Sequence, residues 1–216
     1  MLLDDCVEKR HSTRSFLKKP IPRSVLERAL TLAKNAPSSS NIQPWRLIIV
    51  EGAARDRLAA SLCTAATQGG PFVPPIPAAF QHYRSNYGKG LYGDVLGISR
   101  NDHVRLQAAQ LRNYNFFDAP TEIIVAMHKD LAIADALSVG MYLQTLLLGL
   151  AQEGIASCCQ VAVAGYPEIL RRELDVPDHL EIICGVAVGY EDADSEINSY
   201  RAQKEEFTAV TRFISI

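Results

Sequence analysis

With 216 residues, 48% of them apolar, the chain can bury one substantial core, and it reads as a single domain over 1–216. Its formal net charge of -2 comes from acids and bases scattered throughout, so no global field draws it to nucleic acid or to an anionic membrane, and any anion must be met locally. Five cysteines, Cys6, Cys63, Cys158, Cys159 and Cys184, lack C-x-x-C spacing, which argues against a disulfide framework or a structural zinc and for a reducing, cytoplasmic setting.

The first ten residues, MLLDDCVEKR, carry acids where a secretory signal would carry basic and apolar regions, so none is expected. The next stretch, RHSTRSF at 10–16, packs Arg10, His11, Ser12 and Arg14 close together. If the segment is extended, a guanidinium fork, a hydroxyl and a second fork project to one side, a combination suited to phosphate. A solvated basic turn is the plainer alternative, and His11 reads as a structural histidine before a proton-transfer group. PRSVLERALTLAKN at 22–35 spaces Val25, Leu26, Ala29, Leu32 and Ala33 for a helix, with Pro22 in its first turn.

That helix stops at Pro37, and APSSSNIQPW at 36–45 leaves the amides and hydroxyls around Ser38, Ser39, Ser40 and Asn41 free to meet a polar ligand, although by itself it is a helix stop and a loop. RLIIVE at 46–51 predicts a central strand. A helix is expected near 53–66. Residues 69–100 are dense in proline, glycine and aromatics and show neither period, which predicts a lid-like excursion over the surface. A helix near 102–117, the strand EIIVAMH at 122–128 and a helix near 130–153 follow. The most apolar run, ALSVGMYLQTLLLGLA at 136–151, falls short of the roughly 20 residues a membrane span needs and reads as a core helix.

Ser157-Cys158-Cys159-Gln160 invites a thiol nucleophile, yet adjacent cysteines in the apolar run IASCCQVAVAG read as packing residues. A helix near 166–174 and the strand LEIICGVAVGYE at 180–191 complete an interleaved chain of two or three layers. The polar tail from Glu191 would wander unless something held it. No G-x-G-x-x-G follows a strand and no G-x-x-x-x-G-K-[ST] occurs, so neither a dinucleotide fold nor a P-loop accounts for a phosphate site, and no metal-ligand spacing appears.

RHSTRSF followed by APSSSNIQPW resembles the paired signature of the nitroreductase family. The resemblance continues through FFDAPTEIIV at 116–125, GMYLQTLLLGLAQEGIASCCQ at 140–160, YPEILRRELDVP at 166–177 and GVAVGYEDADSEINSYR at 185–201, and so covers most of the chain. The insertion with YRSNYGKGLYGDVLGI is most similar to the nitrobenzoate-reductase-like branch.

The resemblance implies an α+β sandwich, a central mostly antiparallel sheet flanked by helices, in an intertwined homodimer with FMN at the interface. It implies that Arg10, His11 and Ser12 hold the FMN phosphate and ribityl chain, and that Arg14 reaches the N1 and O2 side of the ring. Pro37, Ser38, Ser39 and Asn41 would close over the same cofactor from the other subunit. Arg112 and Asn115, one helical turn apart, would face the ring or ribityl chain. Cys159, Gln160 and Val161 would run along the ring edge and offer an amide N–H toward N5, where many relatives carry proline and glycine.

Arg201 and Lys204 would complete the phosphate site, with the 191–216 arm wrapped on the partner. No side chain is expected to act as nucleophile, since the cofactor carries the chemistry. The implied activity is NAD(P)H-dependent reduction of nitroaromatics, quinones or a related electron-poor acceptor by a ping-pong mechanism. The alternatives are a specialised chemistry such as reductive dehalogenation or flavin fragmentation, and a flavin-binding sensor or storage protein. Tyr83, Tyr87 and Tyr92 are expected to shape acceptor choice more than cofactor binding.

Overall fold

A computed structural model, which describes residues 2–215, arranges the chain around one five-stranded sheet. Helix α1 (Leu3–Lys9) leads through the 10–16 segment into the short strand β1 (Phe16–Leu17). Then come α2 (Arg23–Ala33), β2 (Arg46–Glu51), α3 (Gly52–Gln68), α4 (Gln81–Gly88) and α5 (His103–Leu111). The second half runs β3 (Thr121–His128), α6 (Ile133–Gln152), β4 (Ala156–Gln160), α7 (Val161–Ala164), α8 (Pro167–Leu174), β5 (Leu180–Glu191) and α9 (Phe207–Val210).

β5 is long enough to pair on both sides: β3 lies along one, and β4 and then β1 along the other. β2 adds to the far side of β3, and all these pairings are antiparallel. Successive residues of β3 face opposite helical layers, as the two-residue period of a strand requires. Ile124 and Ala126 join Leu58 and Leu62 of α3 and Leu170 of α8 in one core, while Ile123 and Val125 join Leu26 of α2 and Leu146 and Leu150 of α6 in the other. The result is the α+β sandwich that the resemblance implies.

Local signals set the helix ends. Asp102 Oδ1 accepts the Arg105 N–H at 3.0 Å to open α5, and Asp135 Oδ2 accepts the Ala132 N–H at 3.1 Å to open α6. Pro167 starts α8, and Asp175 in the left-handed region ends it. α6 extends beyond the apolar run at 136–151 to a length and hydropathy that could cross a membrane. Its packing against α2 and the sheet makes it a core helix here.

Three expectations change, and one strand was not foreseen. RLIIVE forms a strand at the sheet's edge, not its centre, leaving an apolar edge open on one side. The helix expected over 102–117 ends at Leu111 and gives way to turns, with Phe116, Phe117 and Asp118 all at positive φ. The 69–100 excursion is not without periodic structure: α4 continues into a π-helical stretch at Lys89–Val95. Across α4 and the π-helical stretch only Leu91 is buried, so no apolar stripe existed there to be seen in the sequence. Ala156–Gln160 is a strand that its residue types do not announce.

Candidate cofactor site

The 10–16 segment is laid along β4 by a parallel bridge between Ser12 and Ser157 and by the Thr13 N–H, which donates to the Ser157 carbonyl at 3.1 Å. Alternation then buries Thr13 and Ser15 and leaves Ser12 and Arg14 on the open side. The C-terminal segment meets it there through Asn198. Its Oδ1 accepts the Arg14 N–H at 2.7 Å, and its Nδ2 donates to the carbonyls of Ser15 and Asp192, each at 2.9 Å. Arg201 is aimed by Nη1 donating to the Asn198 carbonyl at 2.7 Å.

This join closes a cavity of about 250 Å³ lined by Arg10, His11, Ser12, Arg14, Arg201 and Lys204, together with Tyr87 and Tyr200. Among the described residues, no carboxylate lies within ion-pair distance of these three arginines or of Lys204. Four cations and a single carboxylate, Glu8, border the cavity, so its net charge is positive and an anion there relieves the repulsion. With the Ser12 hydroxyl among them, the donor set suits a phosphate monoester. His11 lines the cavity with its ring held by the protein: Nδ1 faces the Lys9 carbonyl at 2.9 Å and Nε2 faces Glu191 Oε1 at 3.1 Å.

Asn198→Ala removes three hydrogen bonds at once and strands their part-buried partners. It should cost roughly 2–4 kcal/mol in urea unfolding, since each buried group left unpaired costs about 1–3 kcal/mol. The same variant should hold anions less tightly, because the Asn198 side chain fixes the Arg14 backbone and, by tying the arm to Ser15 and Asp192, places the main-chain carbonyl that aims Arg201.

An aromatic wall bounds the cavity. The Arg14 guanidinium lies over the Tyr87 ring at 5.5 Å, and Tyr87 meets Tyr200 edge-on at 5.7 Å. Gly90 lets the helical excursion approach this closely: a Cβ there would come within 2.7 Å of the Tyr200 ring. Burial pushes the Tyr87 hydroxyl up to about 12 against the pull of Arg14, which keeps it a neutral donor. Tyr87 also lines a second cavity of about 970 Å³, with Arg84, Tyr92, Asn113, Tyr114 and Ala162. The excursion therefore borders the anion cavity as well as the larger one, where the sequence expectation gives Tyr87 to acceptor choice more than to cofactor binding.

The other expected residues fall in three places. Cys159, Gln160 and Val161 lie at the junction of β4 and α7, leading to Ala162 on the larger cavity. Cys158 is a core residue whose thiol burial pushes up to about 11, but Cys159 is exposed and not the packing residue the apolar run suggests. Pro37, Ser38, Ser39 and Asn41 lie elsewhere, in an exposed loop against α6. There the Ser39 N–H donates to Ser138 Oγ at 3.4 Å, and Ser40, Asn41 and Gln43 hold positive φ. Within one chain, none of the four lines the anion cavity.

Arg112 and Asn115 are not one helical turn apart, because α5 has already ended. Both turn to Asp118: Arg112 Nη2 approaches at 3.7 Å and Asn115 Nδ2 donates at 2.8 Å. Asn115 lines a separate cavity with Arg55 and Glu51. Asn198 and Tyr200 escaped sequence reasoning, since nothing in a polar tail marks which amide will span from residue 198 back to residue 14.

Residues 7–190 match the family model described as Nitroreductase family. A nitrobenzene nitroreductase of Ectopseudomonas oleovorans is 33% identical over 98% of this chain and 96% of its own. A 4-nitrobenzoate reductase of Nocardioides sp. (strain LMS-CY) is 33% identical over 94% of this chain and 85% of its own. The crystal structure of the FMN-dependent nitroreductase NfnB from Mycobacterium smegmatis in complex with NADPH superposes with a TM-score of 0.92 at 31% identity, covering 98% of this chain and 97% of that one.

Proposed function

The chain belongs to the nitroreductase family, and we propose that it is an FMN-dependent oxidoreductase using NAD(P)H to reduce nitroaromatics, quinones or a related electron-poor acceptor, as a cytoplasmic homodimer. The observation that carries this reading is the convergence of Arg10, Ser12, Arg14, Arg201 and Lys204, free of carboxylate partners, on one cavity beside a larger one. Arg10 and Lys204 neutralise the terminal phosphate, and the Ser12 hydroxyl donates to it. Arg14, steadied by Tyr87 and by its own Nη1 donating to the Ser12 carbonyl at 2.8 Å, keeps positive charge beside the ring. When bound, the flavin supplies two-electron transfer from the nicotinamide to the acceptor.

The backbone of Cys159–Val161 would border the ring edge, and Tyr87 with Tyr92, which line the larger cavity, would exclude water from an acceptor held there. A second copy of the chain is supported by exposed apolar surface on three elements. These are Ile133 (86% exposed) and Leu137 on α6, Ile49 on the open edge of β2, and the arm with Phe207 and Phe213. The partner's Pro37–Asn41 loop then completes each site. Mass spectrometry of the cofactor released from the purified protein tests the reading: FMN is expected, and FAD or no flavin would contradict it.

A further inference from the structure

Every buried side-chain nitrogen or oxygen without a hydrogen-bond partner among the described residues belongs to Arg55 (Nε), Glu122 (both carboxyl oxygens) or Gln160 (Oε1). Glu122 is 0% exposed, on the face of β3 that packs toward α3. Its Oε1 fills the space where a side chain on Gly185 would begin, so position 185 admits no Cβ. Gln160 stands opposite Gly185 in the β4–β5 register. Cross-strand partners hold their first side-chain positions roughly 4.5–5.5 Å apart, which puts the Glu122 carboxyl within reach of the Gln160 amide. That amide cannot turn: its Nε2 donates to the Asn113 carbonyl at 2.6 Å, so Oε1 faces away as an acceptor in need of a donor. A carboxylate has no proton to offer it, and a carboxylic acid has one.

We propose that Glu122 is held as the carboxylic acid, donates its O–H to Gln160 Oε1 across Gly185, and thereby acts as the positioning residue for the Cys159–Gln160–Val161 segment. The functional half of this rests on that segment bordering the cofactor, as proposed above. Arg55 does not need Glu122 as its counter-ion, because its Nη1 donates to Asp56 Oδ1 at 3.0 Å and its Nη2 to the Asn115 carbonyl. Burial chiefly holds the Glu122 proton, raising the group well above the usual carboxylate range. The nearby Cys159 adds to the rise, while Arg55 and the Val186 N–H oppose it without forming a hydrogen bond. The Cys158 and Cys184 thiols, also near, are themselves raised and neutral.

The folded state then keeps a proton that the unfolded state releases. Stability is full below the ordinary glutamate value and falls as pH rises toward the folded one. Glu122→Gln, neutral throughout and still carrying a donor, should flatten that fall and melt higher than the parent above neutral pH. An ionised Glu122 paired with Arg55 would give the opposite, a lower melting temperature.

Infrared spectroscopy of the purified protein carrying isotope-labelled glutamate at neutral pH reads the acid directly. A label-shifted carbonyl band of a protonated carboxylic acid is expected. It should be absent in Glu122→Gln and moved to higher frequency in Gln160→Met, which removes its acceptor. No such band, or one that Gln160→Met leaves in place, overturns the proposal. For the positioning role, Glu122→Met should shift the flavin midpoint potential and lower kcat on the order of tenfold to a hundredfold with FMN still bound, as small misplacements near a reacting centre do. Glu122→Gln should restore both, and identical behaviour of the two variants overturns that role. If the band and its dependence on Gln160 appear in a protein that binds no flavin, the buried acid stands and the cofactor reading falls.

Discussion

Replacing Arg10 by alanine should strip FMN from a protein that stays folded. Arg10 makes no ion pair among the described residues and lines a cavity that already holds three more cations, so the fold loses nothing it depends on. A charge-assisted hydrogen bond to phosphate is worth about 1.5–3 kcal/mol, so affinity for FMN should fall on the order of tenfold to a hundredfold. Fluorescence titration of the apoprotein measures it. Riboflavin, which lacks the phosphate, should bind parent and variant alike; equal affinity of both for FMN would remove Arg10 from the site. Arg14→Ala should separate from it by lowering the flavin potential more than FMN retention, since Arg14 lies against Tyr87 instead of standing free.

Ending the chain after Ala202 should convert the protein to monomers without flavin. The removed segment contains Lys204 of the anion cavity and the apolar residues Phe207 (63% exposed), Val210 (72%), Phe213 (82%) and Ile214 (79%). Side chains of that size contribute about 1.5–3 kcal/mol each when covered, and none is covered within its own chain. Most of that energy is available only to an arm seated on a partner, which also gains the cover that the open β2 edge needs. Sedimentation equilibrium reads the outcome. A milder variant, Phe207→Ser with Phe213→Ser, keeps Lys204 and should raise the dimer dissociation constant by several orders of magnitude, scaled from the same burial energies. An unchanged dissociation constant would take the arm out of the interface.

The anion cavity was legible where chemistry is concentrated in a few adjacent positions. RHSTRSF brings two guanidinium groups and a hydroxyl within five residues of sequence, and strand alternation alone turns Ser12 and Arg14 to the open side. Continuous β-branched runs identified the central strands β3 and β5 by burial, but the same signal put RLIIVE at the centre because an edge awaiting a partner is as apolar as a core strand. The helical excursion was hidden by Gly88, Gly90 and Gly93, which lower helix propensity, and of these Gly90 permits the close contact with Tyr200. Asn198 and Glu122 were illegible for a shared reason. Each acts through a residue far away in the chain, Arg14 in one case and Gly185 in the other, and only the assembled sheet brings those partners together.

The central claim is that this chain carries a flavin in the Arg10–Lys204 cavity and turns it over between a nicotinamide and an electron-poor acceptor. An anaerobic absorbance titration of the purified yellow protein tests it most directly. One equivalent of NADPH or NADH per flavin should bleach the visible band within the dead time of hand mixing, and a nitroaromatic such as nitrobenzoate, or a quinone, should then restore it. A flavin band that neither nucleotide bleaches, or that no acceptor of these classes restores, would contradict the account.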